Sequence, residues 1–265
     1  MIYKIVTPLV VMYYFMFGMA LATEMRQVEV GFWTDAKLTQ VIATANQSIT
    51  PGGKIVKISE HFINTPYAAN TLVGGPQKAE QLVINLSAFD CFTFLDVVEA
   101  LRRSSVVEDF YAQLKNVRYR NGTVAYAMRR HFFSDWVAGD ATPINDVTAA
   151  VGQGRAQAVV KQLNRRSDGT LWLPEITVVS REISYIPVGV IDVQMLSLLQ
   201  TGDYVGVYSE LAGLDVSHTG LIVKSKNKVM LRHASSRRGI ERVVDEELVT
   251  YLQGKPGLVV YRVKP

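Results

Sequence analysis

Cys91 is the only cysteine among 265 residues. It follows Asp90, where an apolar, strand-like run (residues 82–86) gives way to a helix-like run ending near Arg103. A thiol in the first turn of a helix faces the positive end of the helix dipole and the unpaired amide N–H groups of that turn. Both favour the thiolate, the form that attacks a carbonyl carbon. One cysteine can form neither an internal disulfide nor a thiolate zinc site. The competing reading is a buried cysteine that merely packs as a small apolar side chain.

A cysteine nucleophile needs an imidazole as its proton acceptor, and the imidazole needs a polar neighbour to fix its tautomer. Four histidines are available. His61 and His131 flank aromatic residues, the setting of packed structural histidines. His218 differs, opening the apolar run Thr219-Gly220-Leu221-Ile222-Val223. His233 closes the next strand-like run, and Lys226-Asn227-Lys228 between the two reads as a hairpin tip. Folded back, that hairpin brings His218 and His233 to the same end of neighbouring strands, where a helix start bearing Cys91 can face them. His131, His218 and His233 with a carboxylate form the rival zinc set. No His-Glu-x-x-His spacing supports it, and it leaves Cys91 without a role.

The surrounding elements follow from apolar periodicity. Thr34 or Asp35 caps a helix through Leu38, Val41, Ile42, Ala45 and Ile49, and Pro51-Gly52-Gly53 is expected to stop it. Residues 54–59 alternate like a strand. Phe94, Leu95, Val98 and Leu101 stripe the helix headed by Cys91. Ser105 and Glu108 offer a capping box for another helix, and residues 125–136 read as helical, then irregular. Residues 139–170 show little pattern beyond turns. Short strand-like runs follow at 204–208, 219–223, 229–231 and 258–263, and a last helix is expected from a cap at Asp245 to Gly254. Helices come first and most strands late, which predicts an α+β fold on an antiparallel sheet.

Composition is globular, at 48% hydrophobic and 20% charged residues, with a formal charge of +4. Basic residues are scattered, so nothing marks a nucleic-acid partner. Residues 1–22 read as a secretory signal: Lys4, an apolar stretch, then Ala20-Leu21-Ala22 before a cleavage point at Thr23. That implies a periplasmic or secreted chain, free of the membrane after cleavage, with residues 23–265 as one domain.

Six phrases in order resemble a known family. They are Thr65-Pro66-Tyr67 with Gly74-Gly75, Asp90-Cys91-Phe92-Thr93-Phe94, Arg130-His131-Phe132-Phe133-Ser134-Asp135-Trp136, Gly202-Asp203-Tyr204-Val205, Ser217-His218-Thr219-Gly220 and His233-Ala234-Ser235-Ser236. From about Ile55 onward the chain resembles the NlpC-type, papain-like cysteine hydrolases of bacterial peptidoglycan, in the branch described as N-acetylmuramoyl-L-alanine amidase-like. The resemblance implies a papain-like core elaborated by insertions. It implies Cys91 as nucleophile, His218 as base, His233 as the residue orienting it, Tyr67 beside the active site and Asp90 in substrate binding. Phe92 departs from the small residue usual after the cysteine.

The implied activity is hydrolysis of the amide between N-acetylmuramic acid and L-alanine, with peptidoglycan as partner, no cofactor, no metal, and a monomeric state. Phe92, Trp136 and Tyr67 would wall the sugar pocket, with Asp90 or Asp203 accepting hydrogen bonds from substrate. The alternatives are cleavage after D-glutamate in the stem peptide by the same chemistry, and a non-catalytic wall-binding protein with Cys91 simply buried.

Overall fold

The computed structural model describes residues 26–29, 31–139, 142–225 and 228–265. The apolar segment read as a signal, residues 1–22, and residues 226–227 of the expected hairpin tip lie outside them. Among the described residues no helix is long and apolar enough to cross a membrane.

The chain opens with β1 (Arg26–Glu29). The Thr34 hydroxyl then accepts the Lys37 N–H at 3.2 Å and starts α1 (Asp35–Asn46), which buries Leu38, Val41, Ile42 and Ala45. Ile49, assigned to the same stripe from sequence, lies past the helix end and is exposed. Pro51-Gly52-Gly53 begins a helix rather than ending one. In α2 (Pro51–Glu60) the Thr50 hydroxyl accepts the Gly53 N–H, and Pro51 stands in the first turn, where its missing N–H costs nothing. Residues 54–59, expected as a strand, are therefore helical and bury Ile55, Ile58 and Ser59. Gly52 permits this packing, because a Cβ there would stand 2.0 Å from the Thr201 carbonyl oxygen.

β2 (Leu82–Asn85) pairs parallel with β1 and delivers the chain to α3 (Cys91–Arg103), and α4 (Asp109–Arg118) packs beside it. The expected Ser105/Glu108 box is absent. Asp109 instead accepts the N–H groups of Ser105 and Val106. Residues 125–136 hold two short 3-10 turns, Tyr126–Met128 and Phe133–Trp136, rather than an α-helix.

The rest is dominated by sheet. The elements are β3 (Ile144–Asp146), α5 (Thr148–Gly152), β4 (Gln157–Leu163), β5 (Val179–Pro187), α6 (Val193–Leu198), β6 (Tyr204–Tyr208), β7 (Val216–Ser225), β8 (Lys228–Ser235), β9 (Arg242–Glu247), α7 (Leu248–Leu252) and β10 (Gly257–Val263). Seven strands run in the order β4-β5-β10-β6-β7-β8-β9, all antiparallel, and β3 adds to β10. The fold is thus mixed α and β around an antiparallel sheet. The last helix starts later than expected, because Asp245 lies within β9 and pairs with Arg232.

Alternate residues of the central strands feed two cores. One face joins Tyr204, Leu221, Ala234, Val259 and Tyr261 to the helices α1–α4. The other joins Val205, Val207, Ile222, Leu231 and Val260 to α5, α6 and α7. α3 lies against β7 and β8, so its N-terminus meets the end of the β7–β8 hairpin.

Candidate active site

Local sequence builds the head of α3. The Asp90 Oδ1 accepts N–H groups from Phe92 (3.0 Å) and Thr93 (2.7 Å), and the Thr93 hydroxyl accepts the Asp90 N–H at 3.0 Å. This capping box leaves out the Cys91 N–H. The Thr219 hydroxyl donates to the Cys91 carbonyl at 2.9 Å and ties the helix start to β7. Cys91 is partly exposed. Its thiol nevertheless stands above its ordinary value, at about 11, because burial and then the Asp90 carboxylate outweigh the amide and hydroxyl of Thr219. Burial and the capping carboxylate thus oppose the thiolate that the amides of the helix start favour.

His218 and His233 meet as the hairpin predicts. His218 Nε2 lies 2.7 Å from His233 Nδ1, with the rings nearly perpendicular. Two features of β7 make this contact possible. A bulge sets His218 opposite Val207 but Val216 opposite Tyr208, so Ser217 is the extra residue that re-aims the strand end. Gly220 supplies the room: a Cβ there would come within 3.0 Å of the His233 Cβ. The Tyr251 ring of α7 covers both imidazoles, with centroids 4.8 Å from His233 and 5.7 Å from His218. Burial first, then the charge of its partner imidazole, lowers His218 to about 3; burial and the Arg237 charge lower His233 to about 4. At neutral pH both rings are neutral and the thiol keeps its proton.

Cys91 and His218 line one cavity of about 300 Å³, with Phe92, His131, Trp172, Leu173 and Thr219 among its walls. Tyr67 approaches Cys91, Asp90 and the Ser236 side chain. Its backbone is held between two elements, since the Tyr67 N–H donates to Glu241 and the Ala68 N–H to Phe89. Burial, followed by the neighbouring thiol and carboxylate, raises the Tyr67 hydroxyl, which therefore stays a hydrogen-bond donor.

The structure gathers Cys91, His218, His233, Tyr67, Asp90 and Phe92. It does not bring in the other two residues expected to bind substrate. Asp203 is 1% exposed and lies in another cavity, paired twice with Arg262 at 2.7 Å while accepting the Gln200 N–H. Trp136 is buried among Phe92, Phe133 and Tyr204 and backs the cavity from behind the Phe92 and Phe133 rings rather than lining it. His131 borders the cavity, but its Nε2 is bonded to the Tyr126 carbonyl. Among the described residues no group of three His, Cys, Asp or Glu side chains is disposed to hold a metal ion.

Thr219, Tyr251, Glu246 and the Trp172–Leu173 wall were not singled out from sequence. Only Thr219 carries a local signal, its place beside His218. The others reach the site through register and loop packing.

In this arrangement, two neutral imidazoles stand in series beside a protonated thiol at a helix start. His218 can take the thiol proton as the sulfur attacks a carbonyl carbon. The Cys91 N–H, left out of the capping box, and the Tyr67 hydroxyl are donors available beside the thiol.

The family model described as AmiA-like, N-acetylmuramoyl-L-alanine amidase-like, matches residues 57–258. Among solved structures, a Legionella pneumophila protein superposes with a TM-score of 0.73 at 21% identity, covering 87% of this chain and 94% of its own. An N-acetylmuramoyl-L-alanine amidase from Bacteroides uniformis follows, with a TM-score of 0.68 at 25% identity over 81% of this chain and 99% of its own. A putative xylanase from Bacteroides fragilis is similar at 28% identity and a TM-score of 0.64, over 77% of this chain and 98% of its own. No curated protein matches the chain.

Proposed function

This chain belongs to the AmiA-like, N-acetylmuramoyl-L-alanine amidase-like family of hydrolases, and from that membership we propose that it cleaves the amide between N-acetylmuramic acid and L-alanine in peptidoglycan by a papain-like cysteine mechanism outside the cytoplasm. The observation that supports the mechanism is that Cys91 and His218 line one cavity, with the buried His233 ring 2.7 Å behind His218. As the Cys91 sulfur bonds to the lactyl carbonyl carbon, its proton passes to His218, and the carbonyl π electrons move onto oxygen. The Cys91 N–H and the Tyr67 hydroxyl donate to that oxyanion. Collapse breaks the C–N bond, and His218 returns the proton to the leaving L-alanine nitrogen. A thioester remains on Cys91. Water, deprotonated by His218, then adds to the thioester, releasing the muramoyl carboxylate and restoring the thiol.

The cavity beside Cys91 suits a sugar on the acyl side. Phe92, Trp172 and Leu173 give it apolar walls, and its volume falls at the lower end of the range for small-ligand pockets. Secretion rests on the sequence of residues 1–22, which carries the periplasmic or extracellular reading.

Incubation with a muramoyl tetrapeptide tests the reading. Free sugar and intact tetrapeptide are expected, and Cys91→Ala should abolish their release while the protein stays folded. A dipeptide left on the sugar would instead reveal cleavage after D-glutamate, and full activity in folded Cys91→Ala would refute the cysteine mechanism.

A further inference from the structure

Beyond His233, the chain of contacts continues. His233 Nε2 lies 3.1 Å from the Glu246 Oε1, and the second carboxylate oxygen meets the Arg237 guanidinium. The β8–β9 register accounts for this. His233 stands opposite Val244 and Leu231 opposite Glu246, so His233 and Glu246 are diagonal neighbours on one sheet face. Glu246 itself is largely covered, with 18% of its side chain exposed.

An ionised carboxylate can only accept hydrogen bonds. The proton between His233 and Glu246 must therefore reside on His233 Nε2, which leaves His233 Nδ1 with a lone pair. His218 Nε2, 2.7 Å from that lone pair, must in turn carry a proton. In neutral His218 the remaining nitrogen, Nδ1, is then unprotonated, the state a proton acceptor for Cys91 needs. Each step is forced by the one before it, and the series begins at Glu246.

We infer that Glu246 is a positioning residue which, acting through His233, sets the tautomer of His218, with Arg237 holding the carboxylate in place. This rests on the proposed role of His218 as base, although the tautomers can be observed without any assay of hydrolysis. Other charged and titratable groups face the pair without offering an alternative acceptor to His233 Nε2. Asp245 is turned to Arg232, Lys255 is a cation acting on His218, and Tyr251 meets His233 ring to ring while its hydroxyl, raised by burial and then by Cys91 and Glu246, keeps its proton.

The test combines ¹⁵N-histidine NMR with kinetics on the wild type, Glu246→Gln and Glu246→Asp. In the wild type near pH 7.5, both His218 and His233 should show the Nε2–H tautomer. In Glu246→Gln the amide can donate as well as accept, which permits Nδ1–H on both rings. The Nδ1–H signal should appear, and kcat should fall by roughly 10²-fold with KM little changed. That is less than the ~10⁴-fold lost when a carboxylate directly bonded to the base is made an amide. Glu246→Asp keeps the acceptor and should retain the wild-type tautomers with part of the activity. Nδ1–H on His218 in the wild type would overturn the inference, as would unchanged tautomers and kcat in Glu246→Gln. A wild type that shows the expected tautomers but hydrolyses nothing would sink the proposed function and leave the positioning role standing.

Discussion

The thiol ionisation gives the sharpest quantitative test, because Cys91 is the sole cysteine and every alkylation event reports on it. Burial and the Asp90 carboxylate raise the thiol from an ordinary 9.0 to about 11. At pH 8 the thiolate fraction is then about 10⁻³ rather than about 10⁻¹, a deficit of roughly 100-fold. A more basic thiolate is also a better nucleophile. With a Brønsted slope of about 0.45, the same shift returns roughly 8-fold in intrinsic reactivity. Iodoacetamide should therefore modify the folded protein about 10-fold more slowly than a small unperturbed thiol at pH 8, before any loss from restricted access. The clearer signature is the pH dependence, whose midpoint should lie near 11 rather than 9. Asp90→Asn removes a charge that raises the thiol while keeping a side chain able to cap α3, so its midpoint should move down. Mass spectrometry of timed alkylations across pH 6–12 measures both. A wild-type midpoint below 8 would refute the reasoning, since it would mean that Cys91 and His218 rest as a thiolate–imidazolium pair.

Three further outcomes follow from the same geometry. Gly220→Ala places a Cβ 2.6 Å from the Leu231 side chain and 3.0 Å from the His233 Cβ; it should cost about 1–3 kcal/mol of stability by overpacking and lower kcat by spreading the imidazole pair, read by thermal melts and progress curves. Because His218 and His233 titrate lower when folded than their ordinary 6.5, the unfolded chain binds more protons between about pH 6.5 and pH 3, so stability should fall as pH drops through that window. His218→Gln should flatten that part of a denaturant-midpoint profile, and an unchanged slope would contradict it. Asp203→Ala leaves the Arg262 guanidinium without its partner and should destabilise by about 3 kcal/mol, while kcat of the folded fraction stays near wild type; selective loss of kcat would return Asp203 to the active site.

The site and the fold divide unevenly between local and distant causes. Asp90, Cys91 and Thr93 make a helix start through bonds spanning three residues, so the position of the thiol at the head of α3 is legible in the sequence. The meeting of His218 and His233 is nearly as legible, because a hairpin with a short tip leaves its strand ends together. The central strands β6, β7 and β10 also announce themselves, as runs of apolar and β-branched residues.

Tertiary packing decided the rest. Residues 54–59 alternate as a strand would, yet Ile55 and Ile58 are also one helical turn apart. A cap at Thr50 and the close approach of Gly52 to Thr201 select the helix. Asp203 sits in a phrase that resembles the family's, but its partner Arg262 lies 59 residues away, and only the sheet brings them together. Glu246 reaches His233 through the β8–β9 register, which a shift of one residue would abolish. The proton on Cys91 depends most fully on the folded chain. The sequence by itself determines that a thiol stands at a helix N-terminus, where dipoles favour the thiolate; the surroundings that remove water and hold the Asp90 carboxylate beside the sulfur exist only after folding, and they push the thiol up.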